Sequence, residues 1–389
     1  MKNVSRLSEK RLQQLLKTFP AVLLVGPRQC GKSTLSKHAL PGWDLLDLER
    51  PSDLALLAAD LEGFLAVHTK HTVFDEAQRA PELFPALRHR IDSGKGKGRY
   101  VLLGSASPAL MRSVSESLAG RVGLLALTPF RSQELHGLPQ LKDRWFWGGY
   151  PSVLSLRDVR ARGTWLDAYV STFLERDLPA LGMNLPAQRL RTLWTMLTHV
   201  HGQLLNVSDL ARSLSVSSHT VNSDLDVLEG SFMVRRLQPY FANVQKRLTK
   251  ASKLYIRDTG ILHFLAGLRN NSELNTWPKR GHSFEGLVIE ELCAMADDQL
   301  VRPEVFFWRT QAGAEVDLLI RNGRQLLPVE IKLGASIDPR GLAGLKQCMS
   351  DLGLKRAWVV NTSAERRMLS PGIEQVPWSA IVSGEAKLF

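Results

Sequence analysis

A loop that could hold a phosphate chain stands near the start of the sequence. In AVLLVGPRQCGKSTL, Gly26 is followed by Pro27, Arg28, Gln29 and Cys30, then by Gly31, Lys32, Ser33 and Thr34. The spacing GxxxxGK[ST] suits a polyphosphate. Its glycines let backbone N–H groups curl around the anion, its lysine neutralises the terminal phosphates, and its hydroxyl ligates Mg²⁺. Lys32 and Ser33 take those roles here. Such a loop needs an acidic strand end beside it, and HTVFDEAQ supplies one. Asp75 is placed to hold Mg²⁺ and Glu76 to polarise an attacking water. Cys30 reads as a small tolerated residue whose oxidation would block the nucleotide.

A second group lies in the last third. AEVDLLIRNGRQLLPVEIKLG reads as two strands around an Asn322–Gly323 turn. Glu330 and Lys332 are two apart and share a face. That turn sets Glu330 opposite Glu315, with Asp317 as its diagonal neighbour. A slip of one residue would break the arrangement, and Pro328 removes a ladder donor. Carboxylates and a lysine on one face can hold a divalent metal, acidify its water and stabilise charge on a phosphodiester. Glu285, near the start of the helix in SFEGLVIEELCAM, is a further candidate ligand, so the metal set reads Glu285, Asp317 and Glu330. Arg309 and Gln311 lie near the mouth. The same spacing also fits an exposed amphipathic hairpin with surface ion pairs.

The elements that must position these residues follow from patterning. Ala21–Val25 is a short buried-type strand, and a helix from Lys32 to about Leu40 turns its positive end to the anion. YVLLGSAS is a further strand that ends in Ser105 and Ser107. A helix then ends in SLAGRV, with Arg121 just before the strand GLLALTPF. Arg121 there also suits a surface cation favoured by the helix dipole. The loop Ser93–Arg99 reads as solvated. FWGGYPSVL breaks the rhythm and marks a domain boundary. Thr164–Leu181 reads as a helix with Trp165, Ala168, Tyr169, Thr172 and Phe173 as a core stripe.

From Gln188 to Tyr240 the pattern is short helices and a hairpin. NVSDLARSL is a capped helix, SVSS a turn, HTVNSDLDVLEG a second helix and FMVRRLQPY a strand. This is a helix-turn-helix with a wing. Ser217, Ser218, His219, Asn222 and Ser223 would face a major groove. Asp224 and Asp226 on the same helix favour packing or protein contact instead. NVQKRLTKASKLYIRD is basic, with Lys246, Arg247, Lys250, Lys253 and Arg257. It would track a phosphate backbone or serve as a linker strand with solvated lysines. His68, His71, His199 and His201 lack companion ligands and read as ordinary.

Composition bounds the class. The 389 residues suggest two or three domains. With 44% apolar and 23% charged residues, the chain is neither disordered, collagen-like nor coiled-coil. No apolar run approaches the ~18 residues that span a bilayer, and the start lacks a signal-peptide core. Cys30, Cys293 and Cys348 are the only cysteines, none at metal-ligand spacing, which fits a reducing cytoplasm. Lys and Arg total 50 against 38 Asp and Glu, a net +12 that favours polyanionic partners or serves as dispersed solubilising charge.

Taken together, GPRQCGKST, FDEAQ, SLAGR, GGYP, FLERD, NVSDLA…TVNSDLDVLE, KRLTKASKLYIRDTG and EVD…VEIK resemble a prokaryotic group that joins an AAA-type P-loop ATPase to a PD-(D/E)xK nuclease-like domain. The terminal third is similar to archaeal Holliday-junction resolvases through Gly281, Glu285, Asp317 and Glu330-x-Lys332, although Val316 stands where that motif has proline. The resemblance implies an α/β chain in four parts. These are an AAA-type ATPase (1–145), a helical lid (146–187), a winged helix-turn-helix (188–270) and a restriction-endonuclease-like domain (271–389). It implies ATP and Mg²⁺ as cofactors, with the nucleotide held by Gly26–Thr34, Asp75 and Ser105. Ser105 or Ser107 would read the γ-phosphate. Arg121, with Arg176 behind it, would reach a neighbour's nucleotide in a homo-oligomer such as a hexameric ring. Asp317, Glu330 and Lys332 become nuclease residues.

Three functions compete. The first is an ATP-driven machine that remodels or translocates duplex or branched DNA. The second is a non-nucleolytic ATPase switch that regulates through DNA or protein. The third is a defence or toxin–antitoxin component. A membrane-surface role finds no basic amphipathic helix to support it.

Overall fold

The computed structural model describes residues 4–68, 71–94, 96–105, 110, 114, 116–180, 183, 185–241 and 251–389. Ser107, Lys95, Lys246, Arg247 and Lys250 lie outside the described residues, as does most of the helix expected before Arg121. The chain divides into two compact units. The first holds residues 1–130 with the short returns 150–152 and 230–232; the second holds the rest. The sequence had suggested a boundary near Phe146 and four parts.

The first unit is built on five parallel strands: β1 (Ala21–Val25), β2 (Asp44–Asp47), β3 (Thr72–Asp75), β4 (Tyr100–Gly104) and β5 (Val122–Ala126). Their order is β2-β3-β4-β1-β5. Each central strand is a continuous apolar run, as sheets covered on both faces require. One face packs Leu23, Phe74 and Leu102 against Leu83, Phe84 and Leu87 of the helix Leu83–Ser93. The other packs Val22, Leu24 and Val101 against Leu12, Leu15 and Leu16 of the helix Ser8–Thr18. β2 was not legible in sequence, being a four-residue strand at the sheet's edge with its first residue exposed. The order puts β4 between the phosphate-loop strand β1 and the acidic strand β3, so all three strand ends meet on one edge.

The second unit contains a nine-stranded mixed sheet. Its strands are β6 (Gln203–Leu204), β7 (Val234–Pro239), β8 (Lys253–Ile256), β9 (Glu304–Arg309), β10 (Glu315–Asn322), β11 (Gln325–Lys332), β12 (Ala357–Asn361), β13 (Arg367–Ser370) and β14 (Ile373–Pro377). The order is β13-β14-β12-β11-β10-β9-β7-β8-β6. β7, the strand expected as a wing, pairs antiparallel with β8, which lies beyond the expected hairpin, and pairs parallel with β9 through Gln238–Phe306 and Pro239–Phe307. The wing and the terminal third therefore share one sheet, and the expected boundary at 270/271 falls inside one hydrogen-bonded structure. The helix Arg280–Gln299 lies on this sheet through Phe284, Leu287, Val288 and Leu292, among Phe307, Leu318, Ile320, Val329 and Trp358.

The β10–β11 hairpin differs from expectation by two register steps. The turn is Gly323–Arg324, flanked by the pair Asn322–Gln325, and Leu318 faces Val329. Gly323 has φ 59° and Arg324 is not left-handed, the glycine-first pattern of a II′ turn. One step beyond Leu318–Val329, Asp317 comes level with Glu330 in place of Glu315. An even slip preserves side-chain parity, so the expected residues still share a face. Pro328 is tolerated because pairing to β12 begins only at Val329.

The helical segment expected over Thr164–Leu181 begins earlier, at Val159, passes through a π-helical turn, Phe173–Asp177, and continues over Leu178–Ala180. Tyr169 and Phe173 are buried as core; Trp165 is half-buried and stacks on Tyr169. The helix Val207–Leu214 is capped by Asn206, whose side chain accepts from Ser208 N and Asp209 N. The following helix, Ser218–Gly230, turns Asp224 inward, where its fully buried carboxylate pairs with the half-buried Arg189 at 3.0 and 3.1 Å. Asp226 is exposed and pairs with Arg236. Asp224→Ala should therefore cost about 3 kcal/mol, and Asp226→Ala less than about 1 kcal/mol, as urea unfolding of the two variants will measure.

Candidate functional site

In the first unit the sharp turn after β1 forms the phosphate loop. Gln29 (φ 57°) and Gly31 (φ 103°) are left-handed, which bends the chain into the helix Lys32–Ala39. Gly26 has no room for a side chain, since a Cβ there would lie 2.2 Å from Leu127 O. Lys32 is buried and donates to the carbonyls of Gly26 (3.1 Å) and Pro27 (3.0 Å), folding its ammonium back over the loop. Ser33 Oγ donates to Asp75 Oδ2 at 2.5 Å. Glu76, left-handed at φ 54°, accepts from Gln78 Nε2, and burial raises its carboxyl's pKa against the opposing pull of Lys32. Ser105, at the end of β4, is buried with its hydroxyl unpartnered. Arg28 reaches Glu49 at 3.0 Å; Thr34 is exposed.

Three features depart from the sequence reading. Cys30 points its thiol into the core with 0% exposure, so the loop presents its backbone and not the sulfur. Arg121 is held by Asp92 through two bonds, 2.6 and 2.9 Å, within its own unit. Arg6 was not singled out, yet it clamps the loop. Its guanidinium donates to Cys30 O (2.9 Å) and Thr128 O (2.6 Å) and lies over Phe130. No sequence pattern marks an arginine lying 24 residues before its partner. Arg176, the second candidate for a reaching arginine, is exposed in the other unit.

In the second unit, Glu285, Asp317 and Glu330 are all buried; Glu285 and Asp317 share Lys253, whereas Glu330 pairs with Lys332. Lys253 of β8 inserts its ammonium between Glu285 Oε1 (3.3 Å), Asp317 Oδ1 (3.4 Å) and Glu315 Oε1 (2.5 Å). Tyr255 donates to Glu285 Oε1 at 2.5 Å and His282 lies 3.1 Å from Glu285 Oε2. Asp317 Oδ2 accepts from Ile331 N at 2.8 Å. Lys332 reaches Glu330 Oε1 at 2.5 Å, and Glu330 Oε2 has no partner. Arg309 pairs with Glu315, and Gln311 is exposed. His201 is buried and neutral. It accepts from Ile256 N and makes a 3.1 Å bond to His282 O, while burial lowers its pKa to about 3. Among the described residues no three His, Cys, Asp or Glu side chains converge as a metal-holding group.

The charges explain the titration. Burial disfavours the Glu285 carboxylate, but Lys253 outweighs it and the pKa falls to about 2. Burial and the neighbouring Glu285 push Asp317 up to about 6. Burial and Asp317 push Glu330 up to about 8. Burial would lower Lys253, but its carboxylates hold it above the usual lysine range. The sequence offers Lys253 as a phosphate-backbone contact or a solvated linker lysine and does not single out Tyr255; the structure buries both in β8, whose signal is the apolar run that follows the lysine in KLYI.

The five residues expected to face a major groove, Ser217, Ser218, His219, Asn222 and Ser223, are all exposed. The four histidines read as ordinary take no part in any metal group among the described residues. No helix among the described residues is long and apolar enough to cross a membrane.

An acid whose folded pKa is raised stabilises the fold below its unfolded pKa, and that contribution is lost as pH rises through the folded value. Glu330→Gln should thus gain stability relative to wild type from pH 4.5 through about 8, the value to which Glu330 is raised. The gain should reach a few kcal/mol, read from urea unfolding at a series of pH values. A constant difference across that window would refute the assignment.

Comparison with known proteins adds the following. A family model described as an AAA domain matches residues 18–136. Two domains of unknown function, DUF8612 and DUF4143, match residues 138–272 and 280–381. The uncharacterized proteins Rv2008c of Mycobacterium tuberculosis and Mb2031c of Mycobacterium bovis are each 40% identical over 377 residues, covering 96% of this chain and 83% of theirs. An uncharacterized Haemophilus influenzae protein is 24% identical over 191 residues, 45% of this chain and 48% of that one. Among solved structures, the Walker-type ATPase PABY2304 of Pyrococcus abyssi is 17% identical with a TM-score of 0.47, covering 66% of this chain and 94% of that one.

Proposed function

The chain belongs to the same family as the mycobacterial proteins Rv2008c and Mb2031c and has an AAA-type P-loop ATPase domain in its first part; on that premise we propose that it is an ATP-hydrolysing switch that acts on DNA and binds it without cutting. The observation that carries the ATPase reading is the 2.5 Å contact of Ser33 with Asp75, a hydroxyl from the first turn of the helix Lys32–Ala39 and a carboxylate from the end of β3. This oxygen pair fits Mg²⁺, which when bound neutralises charge on the β- and γ-phosphates. Lys32 exchanges two carbonyls for the phosphate oxygens, at little cost because its stem is already buried. Glu76, half-buried and with its pKa raised above the usual glutamate value by desolvation, takes the proton of the attacking water. The buried Ser105 hydroxyl, without a partner among the described residues, reads the terminal phosphate.

DNA is the proposed partner, from the +12 charge and from the exposed polar face of the helix Ser218–Gly230, whose buried acid Asp224 is neutralised by Arg189. The chains act as a homo-oligomer, in which Arg121 leaves Asp92 to reach a neighbour's nucleotide. Cutting is the reading that the terminal cluster supports less. Asp317 and Glu330, with the unpartnered Glu330 Oε2, fit a divalent ion, but Glu285 is already held by Lys253, Tyr255 and His282.

ATP turnover should be measured alone and with single-stranded, duplex and four-way-junction DNA, with Lys32→Ala as the blank. Stimulation by one DNA form is expected. Turnover that ignores every DNA removes the DNA half of the proposal, and turnover no higher than the blank removes the ATPase half. Glu76→Gln should lower kcat by about 10²–10⁴-fold while ATP binding persists. Ser218→Ala combined with His219→Ala and Asn222→Ala should abolish stimulation and spare basal turnover.

A further inference from the structure

The carboxylate cluster of the second unit already contains a cation. Three acids meet there, Glu285 from the helix Arg280–Gln299 and Glu315 and Asp317 from β10, and the Lys253 ammonium contacts one oxygen of each at 3.3, 2.5 and 3.4 Å. An ammonium has three protons to donate, so its capacity is matched by three acceptors. Its side chain is 3% exposed, and the stem passes the ring of Phe307, with the ammonium 5.8 Å from the centroid. The surrounding groups complete the set. Tyr255 and His282 take the remaining capacity of Glu285, and Arg309 takes the second oxygen of Glu315. A buried lysine persists only when carboxylates compensate its desolvation, and buried carboxylates need a cation in return.

We propose that Lys253 is the resident cation of this cluster, filling between Glu285 and Asp317 the place that a divalent ion would otherwise take, so that the terminal part of the chain folds without metal. The inference does not rest on the ATPase reading, since it concerns residues of the second unit alone. It accounts for a buried lysine at the start of an otherwise apolar buried strand. It also assigns Tyr255 and His282 as positioning residues that fix Glu285 toward the ammonium. Glu330 pairs with Lys332 and not with Lys253, and its Oε2 has no partner among the described residues.

The test uses the full chain without nucleotide, carrying Asp75→Ala so that the phosphate loop contributes no metal site. Thermal midpoints are read with and without Mn²⁺. Protein with Lys253 should show no Mn²⁺ response that depends on Glu285. Lys253→Met should lower the midpoint by roughly 10 °C, and Mn²⁺ should restore much of the loss. Lys253→Met with Glu285→Gln should be more stable than Lys253→Met alone and should ignore Mn²⁺, because one charge has been removed from each side. Where Lys253→Met does not fold in either condition, recovery of a cooperative transition in the double variant supports the proposal, and two unfolded variants overturn it. A Mn²⁺ stabilisation of the Lys253 protein that Glu285→Gln removes overturns it. So does a folded Lys253→Met chain with no Glu285-dependent response.

Discussion

Two short pairings, Gln238 with Phe306 and Pro239 with Phe307, join the wing ladder to the terminal ladder, and Tyr240 N closes the junction on Phe307 O at 2.7 Å. Few hydrogen bonds cross it, yet the second unit's chemistry depends on it. β8 hangs from β7, and β8 supplies Lys253 and Tyr255, whereas the acids they meet come from β10 and the helix Arg280–Gln299. Opposite charges attract strongly only where water is excluded. The pairing brings the lysine of one ladder into the dry interior beside the acids of the other, so each ladder leaves the other with unbalanced charge if it separates. This makes the expected winged-helix and terminal parts one cooperative body.

The first unit rests on a similar convergence at smaller scale. Parallel strands β1, β3 and β4 end together, and their last residues carry the phosphate loop, Asp75 and Ser105. Arg6 fixes the loop from outside the sheet by donating to Cys30 O in the loop and to Thr128 O just beyond β5. Gln29, Gly31 and Glu76 take left-handed backbone at this edge, where the chain must present N–H groups and not side chains.

Legibility in the sequence followed range. The phosphate loop, the acidic strand end and the capped helix at Asn206 are encoded within a few residues and were readable as patterns. The hairpin around Gly323 was readable in kind, and its register missed by two steps because Asn-Gly and Gly-Arg both make acceptable turns. The exposed faces of the helix Ser218–Gly230 followed from its apolar periodicity, which also turns Asp224 inward. The β7–β9 pairing was not readable, since a two-residue parallel contact between strands some 65 residues apart leaves no local pattern. Lys253 was hidden for the same reason: a lysine in a basic run looks solvated until its distant carboxylates are known. Arg6 and Arg121 show the converse, arginines whose partners, Cys30 O and Asp92, decide their role.

The three thiols have a consequence for anyone watching this chain move. Cys30, Cys293 and Cys348 are all free and buried, and each sits in a different apolar cluster: beneath the phosphate loop, under the helix Arg280–Gln299, and between the helix Ala343–Leu352 and β12. A reagent in solvent reaches a buried sulfur only after its surroundings open. The protein therefore carries three native reporters, one per cluster, and their separate labelling rates would show whether its clusters breathe together or apart, with no foreign dye attached.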